Sequence, residues 1–276
     1  MIESFVASWA LFHHAYMAGW LLAALLGTIG VVVVARDQIF LGAAVAQAST
    51  LGIALGMVLA PLLASTEAGE HALLLTGSSL FAVLASWISS RLRQRGDSYE
   101  AVTGWIFLAS SSLAILAMAS SPHGLEEVHR LLASTLIGAS GADVLLLTSL
   151  LAATGMVVAR ERRRILLFVM EPAMAEAVGV RAAVWSPLLA IWLGLVVAQA
   201  IRISGTLYAF GCLLLPALAA KSLSREALPL FWMAPLGAVA ASFVGFVSAN
   251  HYDLPPAQVT VAVLAGLVAL GWCLRR

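Results

Sequence analysis

Long apolar runs alternate with short polar segments along the whole chain. Runs of about 20 residues that lack Asp, Glu, Lys and Arg lie at 9–35, 40–64, 72–90, 101–120, 142–159, 183–200, 203–220, 229–249 and 257–274. A helix needs about 20 apolar residues to cross a bilayer core, whereas a barrel strand needs about 10 residues of alternating polarity. The pattern therefore predicts an all-α integral membrane protein, a polytopic helical bundle of about nine transmembrane helices. Segment 130–141 is apolar but short, so we expect a re-entrant or interfacial piece there.

The composition supports a protein whose solvent is lipid. Hydrophobic residues make up 62% of the 276 residues and charged residues 11%, with a mean hydropathy of +0.98. A soluble domain is about 25% charged, so this chain has too few charges to cover a water-facing surface. We expect residues 1–276 to form a single transmembrane domain. The net charge of +1 gives no indication of nucleic-acid binding.

The start of the chain and the two cysteines give no indication of a cleaved signal peptide or of redox chemistry. The start, Met1 to Ser4, lacks the basic segment of a cleaved signal, so the first apolar run is expected to remain as a span. Cys212 and Cys273 both lie inside apolar runs. We interpret them as small buried apolar side chains rather than as a disulfide or a metal pair.

Basic residues predict the orientation in the membrane. With the N-terminus outside and nine alternating spans, 13 of the 15 Lys and Arg residues fall on the inner side, and only Arg130 and Arg202 face outward. Inner loops of membrane proteins carry this excess of Lys and Arg. The pattern predicts a multi-pass protein of the cytoplasmic membrane with its C-terminus in the cytoplasm.

Several functions are disfavoured by what the runs contain. No run has a charged residue near its middle, where ion-coupled carriers usually hold one. No His-Glu-x-x-His pair and no Gly-rich phosphate loop occurs, so neither a zinc protease nor ATP binding by this chain is indicated. We expect no enzymatic activity and no bound cofactor. A carrier or channel working without an ATPase remains the alternative.

The longest inner segment, 160–181, has features of a cytoplasmic helix. It opens with the basic cluster Arg160 to Arg164. Glu171 followed by Pro172 is a helix start, and Gly179 is a helix stop, so a helix of about two turns is predicted between them. Either a solvated connector on the membrane surface or a docking helix for a cytoplasmic partner fits this pattern.

The histidines gather on the predicted outer side. Candidate metal ligands there are His71, His123, Glu127, His129 and His251. Imidazole and carboxylate groups suit a weakly held transition metal in transit. Exposed loop histidines are often merely polar, and that interpretation stays open for each of them.

Five motifs, taken in chain order, resemble the membrane permease of the zinc- and manganese-type ABC transporters. They are Gly30 to Gly42 with Leu41-Gly42 before the second span, the small-residue run Ala48 to Gly56, Glu100-Ala-Val-Thr-Gly104, the helix Glu171 to Gly179 with Ala175 between, and Ser204 to Ala220 with Leu215-Pro216-Ala217. Each motif alone is weak evidence for this family. Together, in this order and on the predicted sides of the membrane, the motifs are fairly specific for it. The resemblance covers nearly the whole chain.

The resemblance implies the permease fold of an ABC importer and a set of partners. It implies a homodimer, two cytoplasmic ATP-binding subunits and an extracytoplasmic solute-binding protein that delivers a divalent metal such as zinc, manganese or iron. The ATPase would dock on Glu171, Ala175, Glu176 and Gly179. The translocation path would include Ala43, Gln47, Thr50, Gly205, Gly211 and Pro216.

One departure from the family concerns the cargo. The family commonly carries Asp and His one turn apart in the second span, where this chain has Ala43 and Gln47. Neither side chain is a normal ligand for zinc or manganese. The alternatives are a metal held by the outer residues, or a chelated or non-metal cargo. Gln47 is either a pore-lining residue or a helix–helix hydrogen-bonding residue.

Two further features have a structural and a functional interpretation. Gly52 and Gly56 form a Gly-x-x-x-Gly pair, which brings helices close either within one chain or across a dimer. Pro216 is expected to kink its helix, and beside Gly205 and Gly211 it marks either a gate or ordinary bundle packing.

Overall fold

The molecule is built from long helices. The structure, a computed structural model, describes residues 2–63, 66–94, 98–119, 136–170, 172–178, 181–224 and 226–274. The long helices are α1 (Ile2–Ala35), α2 (Ile39–Leu63), α3 (Glu67–Gln94), α4 (Tyr99–Ala119), α5 (Gly141–Met170), α7 (Ala182–Leu223), α8 (Ala227–Tyr252) and α9 (Pro256–Leu274). A short helix, α6 (Pro172–Ala177), follows α5, and Leu136–Gly138 form a 3-10 turn. Within these ranges the structure has no strand, and eight helices are long and apolar enough to span a membrane. The predicted all-α membrane architecture is confirmed.

The chain divides into two compact units. Unit 1 comprises Met1–Asp37, Ser134–Val180 and Leu207–Arg276, and unit 2 comprises Gln38–Ala133 and Arg181–Thr206. In unit 1, α1 packs against α5 and α8, and α8 packs against α9. In unit 2, α2 packs against α3 and α4. Each unit therefore has its own helix–helix core.

Glycines allow the closest helix contacts in both units. In unit 2, Gly52 of α2 lies against Gly77 of α3, and Gly56 lies against Leu73 and Leu74. The Gly-x-x-x-Gly pair thus packs within one chain, as one of the two interpretations predicted. In unit 1, a methyl group on Gly30 would overlap the carbonyl oxygen of Leu213. Small residues give van der Waals contact between backbones, which replaces the hydrophobic driving force that lipid removes.

The longest helix, α7, contains two of the predicted spans. Its 42 residues would extend about 63 Å as one straight helix, about twice the thickness of a bilayer core. Gly205 breaks the helix with φ 76° and ψ 170°, a conformation that is essentially restricted to glycine. The break falls just inside the predicted span 203–220, two residues after its start.

Contacts within each unit give the directions of the two parts of α7. In unit 2, Ser186 lies 3.2 Å from Ser90 and the Gln199 amide donates to Ser79 Oγ at 3.0 Å, so this part is antiparallel to α3. In unit 1, the Tyr208 hydroxyl donates to a carbonyl of α1 at 2.9 Å. Lys221 lies 3.8 Å from Asp37, just beyond α1, so the second part is parallel to α1.

The described residues contain eight helices that are long and apolar enough to span a membrane, where the sequence predicted about nine. The difference arises because α7 takes in two of the predicted apolar runs.

Some predicted boundaries need correction. Helix α1 starts at Ile2 rather than at residue 9, and α5 continues through the basic cluster to Met170 rather than ending at residue 159. Apolar runs mark only the part of a helix at hydrocarbon depth, whereas Arg and Glu continue a helix well in water. Cys273 was expected to be buried but is exposed at the end of α9, while Cys212 is buried.

Candidate translocation path and cytoplasmic docking segment

The three predicted path residues of α2 lie on one side of that helix. Spacings of four and three residues place Ala43, Gln47 and Thr50 on a common face. Ala43 and Gln47 are half-buried, while Thr50 is buried and its hydroxyl donates to the carbonyl oxygen of Ala46 at 3.1 Å. Within this row, Gln47 presents the amide, which both donates and accepts hydrogen bonds. This face of α2 therefore carries polar side chains but no charged one.

The predicted path residues of α7 lie at and after its break. Gly205 belongs to unit 2, and Gly211 and Pro216 belong to unit 1. All three are buried. Gly211 faces Val261 of α9, and a methyl group there would approach Val261 Cγ2 to 2.6 Å. Gly211 is therefore needed for helix packing within unit 1, and the break in α7 occurs at Gly205 rather than at Pro216.

The predicted docking helix is present as α6, although only part of it is described. Glu171 and Gly179 lie outside the described residues, and Glu176 lies within α6. Ala175 is fully buried, so its methyl group packs inside the protein. The accessible apolar side chains of this segment are Met174, 54% exposed, and Val178, 62% exposed. They are four residues apart and therefore share one face.

The predicted inner end of unit 1 joins three helix termini. Arg36, just after α1, places its guanidinium carbon 4.2 Å from the ring centroid of Phe168 near the end of α5. Phe168 is almost completely buried. A cation over an aromatic face adds about 1 kcal/mol. Together with the Lys221–Asp37 pair, this contact anchors the end of α5, from which α6 continues.

The outer metal ligands predicted from sequence are only partly described. His123, Glu127 and His129 lie outside the described residues, whereas His71 is exposed near the start of α3 and His251 near the end of α8. In the described part of the chain, no three His, Cys, Asp or Glu side chains are grouped to hold a metal ion. The outer-ligand hypothesis stays a prediction.

An aromatic cluster in unit 1 is a feature that the sequence analysis missed. Trp9, Tyr16 and Trp20 of α1 stack with centroid separations of 6.0–6.5 Å, and Trp20 also packs on Phe243 of α8 at 5.8 Å. The spacing of three or four residues between aromatic positions on α1 was the available signal. The cluster fixes the N-terminal half of α1 against α8.

A buried polar contact in the same unit was also missed. Tyr208 is completely buried, and its hydroxyl joins the carbonyl oxygen of Gly19 and the hydroxyl of Ser242, each at 2.9 Å. This links three helices through one side chain. No sequence pattern pairs residues that lie 189 positions apart.

Comparison with known proteins identifies the family. The model of the ABC 3 transport family matches residues 8–274, and the chain belongs to this family. A protein of Thermotoga maritima described as a probable metal transport system membrane protein is 24% identical over 250 residues, which is 90% of this chain and 84% of that protein. The manganese transport system membrane protein MntB of Synechocystis is 23% identical over 188 residues, or 68% of this chain and 60% of MntB.

Two solved structures share the fold. PsaBC from Streptococcus pneumoniae, solved in complex with Fab, matches with a TM-score of 0.81 and 18% identity over 99% of this chain and 95% of that chain. An inward-facing putative metal-chelate type ABC transporter matches with a TM-score of 0.73 and 18% identity over 94% and 84% of the two chains. The identification from sequence motifs is confirmed: the chain is a multi-pass membrane permease of the ABC transporter class.

Proposed function

We propose that this chain forms the translocation path of an ATP-driven importer for a divalent transition metal, such as manganese, zinc or iron. The main support for this proposal is the family match over residues 8–274, together with relatives described as metal and manganese transport proteins. Two copies of the chain would pair in the cytoplasmic membrane, with two ATP-binding subunits inside and a solute-binding protein outside. Reconstitution with these partners, followed by ATP-dependent uptake of radioactive manganese, tests the proposal directly.

A carrier or channel that works alone gives the opposite result in the same assay. Its uptake would follow an imposed ion gradient and continue without ATP. Family membership and the absence of charged residues at mid-span favour the ATP-driven mechanism. Uptake that is unaffected by ATP removal would contradict the proposal.

The chemistry of α2 suggests how the cargo is handled. The methyl group of Ala43 offers no ligand, and the uncharged amide of Gln47 suits hard or hydrated cations better than zinc. We infer that the central path holds no tightly coordinated transition metal and that the outer residues supply its protein ligands. Gln47→Ala should then reduce uptake mildly, whereas the His123→Ala/His129→Ala double variant should reduce it strongly.

A chelated metal is the second candidate cargo, and the Ala43 and Gln47 pair favours it. A chelate brings its own ligands and needs only hydrogen bonds from the path. Uptake of a metal chelate, with no uptake of the free metal and no effect of the histidine double variant, would select this candidate. Loss of transport in Gln47→Ala while the double variant stays active would also disprove outer ligation.

The ATPase contact is proposed for the exposed face of α6. Met174 and Val178 form an accessible apolar pair on a helix that follows the basic inner end of α5. Apolar side chains in this position suit a groove on a soluble partner. Ala175 cannot make this contact, because it is buried. A bulky residue at position 175 would disturb folding and would not report on docking.

The docking proposal is tested on the exposed residues instead. Met174→Asp and Val178→Asp should each weaken copurification of the ATPase and lower its transport-coupled activity by about tenfold or more, since an interface anchor contributes about 2 kcal/mol or more. The matched control is Leu223→Asp, which alters an apolar side chain that is 59% exposed at the end of α7. Equal effects of all three variants would contradict a specific role for α6.

A further inference from the structure

Unit 1 contains an elongated apolar groove between α5 and α8. Its volume is about 390 Å³, and α1 forms its floor through Ala24 and Thr28. The walls include Leu151 and Val158 of α5 and Trp232 and Val239 of α8. Thr28 donates its hydroxyl to the carbonyl oxygen of Ala24 at 2.7 Å, so the floor requires no hydrogen bond from an occupant. The groove is shaped and lined for a hydrocarbon.

The groove has the length of one membrane leaflet. Along α5 the lining runs from Leu151 to Leu166, a rise of about 22 Å. The apolar stretch before Arg162 makes up about 16 Å of this, which is about half of a 30 Å hydrocarbon core. Trp232 lies near the start of α8 and is 70% exposed. Exposed Trp residues concentrate at the level of the lipid head groups. Arg162 and Trp232 therefore mark the head-group level of the groove, toward the side where α5 ends, and Ile165 and Leu166 line it beyond that level.

Helix α5 leaves the groove open because little protein covers it. Over the most apolar stretch of α5, only 11% of the residues are buried, and Leu145 and Met156 are more than 70% exposed. Gly155 lines the groove, and a methyl group at that position would contact nothing within 4 Å. The missing side chain widens the space beside α1.

Among the described residues that line this groove, Arg162 is the one charged side chain. On the same helix, Glu161 interacts with Arg164 at 2.9 Å and with Arg160 at 3.9 Å. Among the described residues, Arg162 has no carboxylate partner. A guanidinium at the head-group level attracts anions, and Arg binds phosphate with a planar fork of donors.

We propose that this groove binds one anionic phospholipid. An acyl chain lies between α5 and α8 over Ala24 and Thr28, and the phosphate pairs with Arg162. Neither a second copy of the chain nor a partner helix explains a charged group at one end and an apolar channel of leaflet depth behind it. Charge complementarity and depth both favour the lipid.

Native mass spectrometry of the purified full-length chain tests the site with phosphatidylglycerol and phosphatidylcholine as probes. The wild-type chain should retain one phosphatidylglycerol in preference to phosphatidylcholine. Arg162→Gln should weaken phosphatidylglycerol binding about tenfold, as loss of a charge-assisted contact of about 1.4 kcal/mol implies. The control Arg163→Gln removes the same charge from the same helix at a position that does not line the groove, and its effect should stay below about twofold. Equal losses in both variants would overturn the proposal.

A second pair of variants probes the apolar part. Gly155→Leu should fill the groove and lower the binding of both lipids. Gly237→Leu on α8 is the control, because a methyl group there also contacts nothing within 4 Å and Gly237 does not line the groove. Unchanged lipid binding in Gly155→Leu would refute occupation by an acyl chain. If that variant instead altered the oligomeric state with lipid binding intact, the groove would belong to a second copy of the chain.

Discussion

Substitution of Gly52 by Ala tests whether backbone contact between α2 and α3 holds unit 2 together. A methyl group at Gly52 would overlap the carbonyl oxygen of Gly77 and lie 2.6 Å from its carbonyl carbon and 2.9 Å from Ser78 Cα. These are backbone atoms, which cannot rotate away as a side chain would. The two helices must therefore separate along this interface, and their other contacts loosen.

The expected loss follows from the size of the overlap. Added methyl groups in a packed core cost about 1–3 kcal/mol, and Ala recovers up to about 1 kcal/mol because it favours a helix more than Gly does. We expect a net destabilisation of about 1–2 kcal/mol for Gly52→Ala. Gly77→Ala should behave alike, since its methyl group would approach the Gly52 carbonyl oxygen to 2.6 Å.

A double-variant cycle sharpens the test. Once one methyl group has separated the helices, the second meets more space, so the combined loss should be smaller than the sum of the two losses. The assay is reversible unfolding of the detergent-solubilised chain by dodecyl sulfate. Gly104→Ala in α4 is the control, because a methyl group there contacts nothing within 4 Å, so stability should stay the same or rise by up to about 1 kcal/mol through helix propensity alone. Gly52→Ala as stable as this control, or strictly additive losses, would refute the reasoning.

Three further predictions concern the polar contact, the helix break and the orientation. Tyr208→Phe removes the hydrogen bonds to α1 and to Ser242 and should destabilise the chain by about 1–2 kcal/mol in the same unfolding assay. Because the two hydroxyls act together, adding Ser242→Ala to this variant should cause a smaller further loss of stability. Gly205→Ala forces a methyl-bearing residue into a conformation essentially restricted to glycine and should cost about 1–3 kcal/mol, and a wild-type melting temperature would contradict the break. Single cysteines at Thr66 and Ser98, which flank α3, should label with an impermeant maleimide from outside and inside intact cells respectively; labelling from one side would disprove the predicted orientation.

The membrane class and the family were predictable from the chain alone. Bilayer thickness sets the length of the apolar runs, and the same constraint acts on every span, so an all-α protein that crosses the membrane many times follows without knowledge of any contact. The order of the motifs around Leu41-Gly42, Glu100 and Pro216 identified the permease class because motif order along the chain needs no tertiary information.

Only the tertiary structure decided which faces are accessible and which distant residues meet. Ala175 looked suitable for docking because it sits in a cytoplasmic motif, yet it is buried while Met174 and Val178 are exposed, since a six-residue helix is too short for its period to reveal a buried face. The break in α7 depends on the positive φ of Gly205, a local angle that composition does not encode. Tyr208 meets Gly19 and Ser242 because packing of α1, α7 and α8 in unit 1 brings them together. Contacts of this kind depend on side-chain volume and helix rotation, which the hydrophobic pattern of a membrane helix, apolar on nearly all sides, leaves undetermined.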